Sequence, residues 1–369
     1  MINNKKAPSK KEMLGLLYKG KVEFPPLSLR YREYRSKTVG EGAIDAMVEA
    51  SWGKKSARFV IECRALSTPK SFQESLGLLE KILLPAHFNP MLLMPYLSDD
   101  KLLELEARGI SGIDLCGNGV VMASGVFALF RSGRKTRFTS SASIKNIYRK
   151  NSSMVGRAFL SLPGYGSVQE ICLEINARNM LVQYAIARPM SLPTVSKSLK
   201  TLEDDLIVQR NGEIRLIQSD KLLEKLSDNY SAPKITERVR LKLTAGNAAI
   251  GDLIGRIARK SGVPVMATGT SSVARYAVMQ RGDLLSIYCP SIEPFLEQLP
   301  GKQADRFPDV EFIETMDESV YFDARQEGDF RWASPVQVYL ELMAGDQRDR
   351  NTASQVKSHI LGELHRLTE

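Results

Sequence analysis

Apolar and polar residues alternate over AIDAMVEA (43–50) and RFVIECRA (58–65), with the turn-rich SWGKKSA between them; this pattern predicts a β-hairpin. From Phe72 to Leu84 the apolar residues fall at helical spacing. NPMLLMPYL (89–97) is a short apolar run suited to a buried parallel strand, and residues 99–108 read as a charged helix. GISGIDLCGNGVVMASGVFALFR (109–131) predicts strands around an Asn-Gly turn. Strand, strand, helix, strand, helix, strand describes an α/β domain ending near Arg131.

The pattern changes in residues 183–217, QYAIARPMSLPTVSKSLKTLEDDLIVQRNGEIRLI. It predicts a helix ended by Arg188-Pro189, a turn, a second helix and a β-hairpin, the layout of a winged helix-turn-helix. Val195, Leu199 and Leu202 lie at i, i+4 and i+7 and form the buried stripe of the second helix. Ser191 suits the N-cap, and Pro193 is tolerated in the first turn. Ala185, ten residues before Val195, is small enough to let the two helices cross closely. Thr194, Lys197, Lys200 and Thr201 are then free to meet base edges or phosphates in a major groove. Asn211-Gly212 forms the hairpin tip, with Arg210 and Arg215 beside it, placed to grip phosphates or a minor groove. Glu203, Asp204 and Asp205 sit at the far end of the helix, away from DNA. Such modules also serve protein–protein contacts.

The remaining chain completes a multi-domain α/β (α+β) expectation. Residues 1–35 read as a basic arm and Pro-containing connector, 36–131 as the first α/β domain, 132–157 as a basic linker, 158–229 as the winged element and 230–369 as a C-terminal α/β domain. The last holds VPVMATGTSSVARYAV (263–278) and two C-terminal helices. Residues 293–329 carry eleven acidic and three basic side chains.

Charge sharpens this picture. The 369 residues contain 51 Lys+Arg against 42 Asp+Glu, a net +9 that favours polyanionic partners. Eight basic and no acidic residues fall in 131–157, including Arg134, Lys135 and Arg137. That run is either a solvated linker or a source of sequence-independent phosphate affinity through counterion release. Cys63, Cys116, Cys172 and Cys289 form no CxxC pair and read as buried free thiols of a reducing compartment. His359 and His365, six apart, are poorly spaced for zinc. The basic N-terminus lacks the apolar core of a signal peptide, and no window approaches a membrane span, so the expectation is a cytoplasmic protein without membrane contact.

Two stretches suggest catalysis. Asp45 and Glu62-Cys63-Arg64 resemble the D…(D/E)xK signature of restriction-endonuclease-like folds, in which two carboxylates on adjacent strands hold Mg²⁺ and a Lys assists the attacking water. Gln73 follows on a helix. Arg64 stands where that Lys belongs, and a guanidinium does not deprotonate water. The expectation is a degenerate scaffold with no metal or cofactor; the alternative is a nuclease using Asp45 and Glu62 with Mg²⁺. TGTSSVARYAVMQRGDLLSIY resembles the Gly-Ser turn and strand of nucleotidyltransferases, but Asp283 is followed by Leu284 and Leu285, so the D-x-D partner is missing and a non-catalytic relic is expected.

Taken together, GISGIDLCGN (109–118), LPTVSKSLKTLEDDLIVQRNGEIRL (192–216), GTSSVARY (269–276) and WASPVQVYLELMAGDQR (332–348) resemble the AbiEi-type antitoxins and transcriptional regulators of type IV toxin–antitoxin systems, from about residue 43 to the end. The resemblance implies a restriction-endonuclease-like region, a winged helix and a degenerate nucleotidyltransferase-like region. It implies a DNA-binding repressor, a homodimer on double-stranded DNA, not an enzyme, acting in a toxin–antitoxin or phage-defence locus. A nucleotidyltransferase-type toxin encoded nearby is the implied partner, neutralised without a tight complex. This chain is longer than the shortest members, which leaves a solitary regulator open.

Overall fold

The two alternating runs become antiparallel strands joined by a two-residue turn at Gly53-Lys54, where Gly53 takes φ +59°, a backbone region glycine enters without steric cost. The computed structural model describes residues 5–32, 44–82, 84, 87–139, 146–244, 250–278, 284–327 and 330–368. The chain divides into two compact units, residues 1–143 and 144–369.

In the first unit the elements are β1 (Lys5–Lys6), α1 (Lys10–Tyr18), β2 (Ser28–Arg32), β3 (Ala46–Trp52), β4 (Lys55–Cys63), α2 (Pro69–Lys81), β5 (Phe88–Met94), α3 (Asp99–Ala107), β6 (Ser111–Asp114), β7 (Gly119–Ala123), β8 (Phe127–Arg131) and β9 (Phe138–Thr139). Strands β2 to β8 form one sheet in sequence order, antiparallel at both ends and parallel through β4, β5 and β6. The sheet is covered on both faces, which is why NPMLLMPYL is apolar without interruption. Met91 and Leu93 join Met13, Leu17, Phe59 and Ile61 in one core, while Leu92 and Met94 join Phe72, Leu76, Leu102 and Leu105 in the other. The expected N-terminal arm is an integral part of this unit. Ser9 and Glu12 form a reciprocal capping box that starts α1, and Met13 and Leu17 carry that helix into the core. Lys10, Lys11, Lys19 and Lys21 are exposed, which gives an amphipathic helix the local composition of a solvated arm.

The second unit begins with a 3-10 turn (Lys150–Ser152), followed by α4 (Ser153–Phe159), β10 (Gly164–Tyr165), α5 (Val168–Arg178), α6 (Met180–Gln183), α7 (Leu192–Asp204), β11 (Val208–Asn211), β12 (Glu213–Leu216) and α8 (Ser219–Asp228). The three short strands lie in the order β10-β12-β11, all antiparallel. Then come β13 (Glu237–Leu243), α9 (Ile250–Ser261), β14 (Met266–Thr268), α10 (Gly269–Val273), β15 (Leu285–Cys289), α11 (Glu293–Gln298), β16 (Gly301–Gln303), β17 (Val310–Glu314), β18 (Arg325–Glu327), β19 (Phe330–Trp332), α12 (Pro335–Met343) and α13 (Gln347–Thr368). Their mixed sheet has the order β16-β13-β17-β15-β14-β19-β18.

One core joins the helices around α7 to one face of the large sheet. Val195, Leu199 and Leu202 of α7 belong to the same buried cluster as Tyr321, Val338 and Val356, and as Met266 and Tyr288 from one face of the large sheet. The opposite face packs its Val239, Ile287 and Phe312 against Ile254, Ile257 and Phe295. Sequence segments on either side of Asn229 therefore share a hydrophobic interior.

The helix before α7 differs from the expectation. It is α5, ending at Arg178, and thirteen residues including the single turn of α6 separate it from α7. Ala185 is exposed, sits at φ +56° and makes no helix crossing; Ile175 and Leu181 supply the buried apolar contacts there instead. No helix among the described residues is long and apolar enough to cross a membrane.

Candidate nucleic-acid interface

Helix α7 starts where Ser191 takes an extended backbone and Pro193 occupies the first turn. The Ser191 hydroxyl does not cap the helix; it lies 2.9 Å from the Thr194 hydroxyl. Val195, Leu199 and Leu202 are fully buried, against α4 and α5. The opposite face exposes Ser196, Lys197 and Lys200, with Thr194 and Thr201 half-buried at its margins. Thr201 donates to the carbonyl of Lys197, 3.3 Å away, and so keeps its oxygen lone pairs available. The four predicted helix residues thus lie together along one accessible strip, and two of them are cations.

The acidic end of α7 is neutralised from within. Asp205 accepts from the Tyr148 hydroxyl at 2.5 Å and pairs with Lys225 at 3.4 Å, while Lys221 donates to the Asp205 carbonyl. Burial, and then the nearby Asp205 carboxylate, hold the Tyr148 phenol far above its usual range, so it stays a donor. Glu203 faces Arg210 across 3.8 Å.

The hairpin is tight. Asn211 pairs opposite Glu213, and Gly212 turns the chain at φ +82°. Both predicted arginines are present on it, and both have carboxylate neighbours. Arg215 lies 2.5 Å from Glu213, and Arg210 is the partner of Glu203. A phosphate contact at either arginine would compete with these pairs.

The basic run spans the division between the two units. Arg134, Lys135 and Arg137 are exposed in the first unit, whereas α7 belongs to the second; Lys145 lies outside the described residues. Arg134 and Arg137 help build a loop. Asn118 accepts from the Arg134 amide at 2.8 Å and donates back to the Arg134 carbonyl at 3.0 Å; the Arg137 guanidinium donates to the carbonyl of Leu115. At the centre of that loop Asp114, buried, accepts from the amides of Leu97, Cys116 and Asn118 and from the Asn118 side chain. The IDLCGN segment is thus a carboxylate-clamped turn. Arg157, the last cation of the run, is buried. It donates to the Ser319 carbonyl and to Gln337, each at 2.8 Å, and burial pushes its pKa down to about 10, leaving it charged at neutral pH.

The acidic pair comes together as its strand positions require. Asp45 precedes β3, and Glu62 lies near the end of the adjacent β4. Asp45 accepts from the Cys63 amide at 2.8 Å and pairs with Lys10 at 2.7 Å. Glu62 pairs with Arg64 at 2.8 Å. Burial, and then the Asp45 charge, raise the Glu62 pKa, against the opposing pull of Arg64 and Lys10. Lys10, thirty-five residues before Asp45, lies outside the sequence motif. Gln73 is turned away and bonds Glu104 at 2.9 Å. These donors do not fit a divalent ion well. Two carboxylates converge, each already neutralised by a cation, and no cluster of three or more metal-ligating acids, histidines or cysteines occurs among the described residues.

At the Gly-Ser turn, Gly269 takes φ +62°. Thr268 donates to Glu341 at 2.7 Å and Ser272 to the carbonyl of Ala267, so both hydroxyls are spent internally. Asp283 lies outside the described residues. All four cysteines are buried and free. Comparisons with protein-family models, with curated proteins and with solved structures each return no match.

Proposed function

We propose that this chain is a sequence-specific double-stranded-DNA-binding regulator whose reading element is a winged helix. The observation that carries the reading is the arrangement in the second unit. Helix α4, strand β10, helices α5 and α7 and the β11–β12 hairpin follow one another, with the strands in the order β10-β12-β11. This is the layout in which the last helix enters a major groove and the hairpin flanks it. Helix α7 buries its apolar stripe and leaves Thr194, Lys197, Lys200 and Thr201 outward. Lys197 and Lys200 would meet phosphates, and the two threonine hydroxyls would meet base edges or phosphates. Two-fold related copies on two half-sites would supply the specificity that one short helix lacks.

The resemblance to AbiEi-type regulators supplies the finer reading, a repressor of its own promoter with a nucleotidyltransferase-type toxin encoded nearby. A mobility shift on the DNA upstream of its gene, at about 0.15 M salt and without metal, tests the core of it. A specific shift of intact DNA, lost on Lys197→Ala/Lys200→Ala, is expected. Absence of any shift at that salt overturns the reading. The nuclease alternative predicts Mg²⁺-dependent cutting abolished by Glu62→Ala; the neutralised Asp45–Glu62 pair disfavours it.

A further inference from the structure

A cavity of about 390 Å³ lies between the C-terminal turn of α13 and the elements behind the hairpin, lined by Arg178, Arg325, Arg366, Glu363, Leu160 and Leu367. Three guanidinium groups thus line it with a single carboxylate. Arg178 is fully committed, to Glu174 at 2.7 Å and to Asp323 at 2.6 Å. Arg325 is not. Its terminal nitrogen reaches Glu363 at 3.4 Å and Asp323 at 3.6 Å, and its Nε is buried with no acceptor among the described residues. Glu363 is itself divided, with His359 3.5 Å from its other oxygen. Arg366 is exposed, donates its Nε to the Gly362 carbonyl at 3.2 Å, and has no ion-pair partner among the described residues.

The two terminal nitrogens of a guanidinium form a planar pair that matches two oxygens of an oxyanion, and the exposed Arg366 has no ion-pair partner among the described residues. We propose that this cavity binds a small phosphate-class oxyanion, with Arg325 and Arg366 as its principal ligands and Arg178 adding field. Leu160 and Leu367 border the charged part, and the volume leaves room for a compact organic group beyond the phosphate. The site does not depend on the DNA-binding reading. Leu367 also lines a neighbouring cavity with Glu213 and Arg215 of the hairpin.

The test is calorimetric titration of the full chain, without DNA, with inorganic phosphate and with pyrophosphate in chloride buffer at constant ionic strength. One saturable site per chain is expected, weakened at least tenfold by Arg366→Ala and lost in Arg325→Gln. Arg366 is exposed at a helix end, so its variant keeps the test valid if the Arg325 variant misfolds. Absence of saturable binding overturns the proposal, as does binding that Arg366→Ala leaves unchanged. Weaker duplex binding by Arg366→Ala without any binding of free anions would place the cavity within the DNA contact and overturn a small-molecule site. A failed promoter shift would leave the calorimetric result standing.

Discussion

Replacing Lys197 and Lys200 together with alanine isolates the phosphate-neutralising part of the proposed interface. Both side chains are exposed on α7, and neither joins an ion pair among the described residues, so their whole charge is available to a ligand. Each phosphate neutralised on duplex DNA contributes about −0.9 to the slope of log K against log salt. Losing two contacts should flatten that slope by about 1.8. Referred to 1 M salt, each contact is worth roughly fivefold in affinity at about 0.15 M, so the double variant should bind about 30-fold more weakly. Solvent-exposed substitutions of this kind alter folding stability by less than about 0.5 kcal/mol each, so the melting temperature should scarcely move. Fluorescence anisotropy with a labelled promoter fragment, repeated over a series of salt concentrations, reads both quantities. An unchanged slope in a normally folded variant would refute the assignment of this helix face to DNA.

Three further outcomes follow from contacts already described. Glu213→Gln removes the carboxylate 2.5 Å from Arg215 and should tighten duplex binding by about threefold to fivefold, a change cancelled in Glu213→Gln/Arg215→Ala; weaker binding in the single variant would mean Arg215 takes no part. Glu62 has a raised pKa, so the folded state holds its proton to higher pH than the unfolded chain does. Its contribution is complete below the ordinary carboxylate pKa and is lost as pH rises through the raised value; denaturant titrations across that window should show Glu62→Gln with a flatter stability profile than the wild type, and parallel profiles would contradict the burial argument. A fragment spanning residues 144–232 should fail to melt cooperatively, because it strips Tyr321, Val338 and Val356 from the core of α7; a dispersed NMR spectrum from that fragment would contradict the shared interior.

Local periodicity was a sound guide wherever an element buries one stripe. The stripe Val195, Leu199, Leu202 lies in a real helix, and the continuous run Met91 to Met94 lies in a strand sandwiched between two cores. The misreadings have physical causes. Lys10 and Lys11 made the N-terminus look like a solvated arm, although Met13 and Leu17, four apart, are buried. The helix preceding α7 lies earlier than the 183–188 pattern predicts because its stripe, Ile171 and Ile175, ends before Asn179, whose side chain accepts from the Leu181 amide and starts a new turn. Contacts between residues far apart in sequence left no local trace. Lys10 against Asp45 and Arg157 against Gln337 appear only once the chain is folded.

Arg157 shows what the shared core does for the proposed function. A buried guanidinium is costly unless its donors are met; here one terminal nitrogen of Arg157 meets the Ser319 carbonyl and Gln337, more than 160 residues further along the chain, while its Nε has no acceptor among the described residues. Gln337 in turn donates to Glu341 at 2.8 Å, which also accepts from Thr268 at the turn after β14 and from Tyr288 on β15. Helix α4 packs directly on α7. The helix behind the proposed reading face is thereby tied by directional polar bonds, as well as by apolar contact, to the large sheet. Apolar packing alone tolerates slippage, whereas such bonds are lost when the parts shift by an ångström or so. The Thr268 hydroxyl at the Gly-Ser turn is spent on Glu341 and so helps brace this junction behind α7.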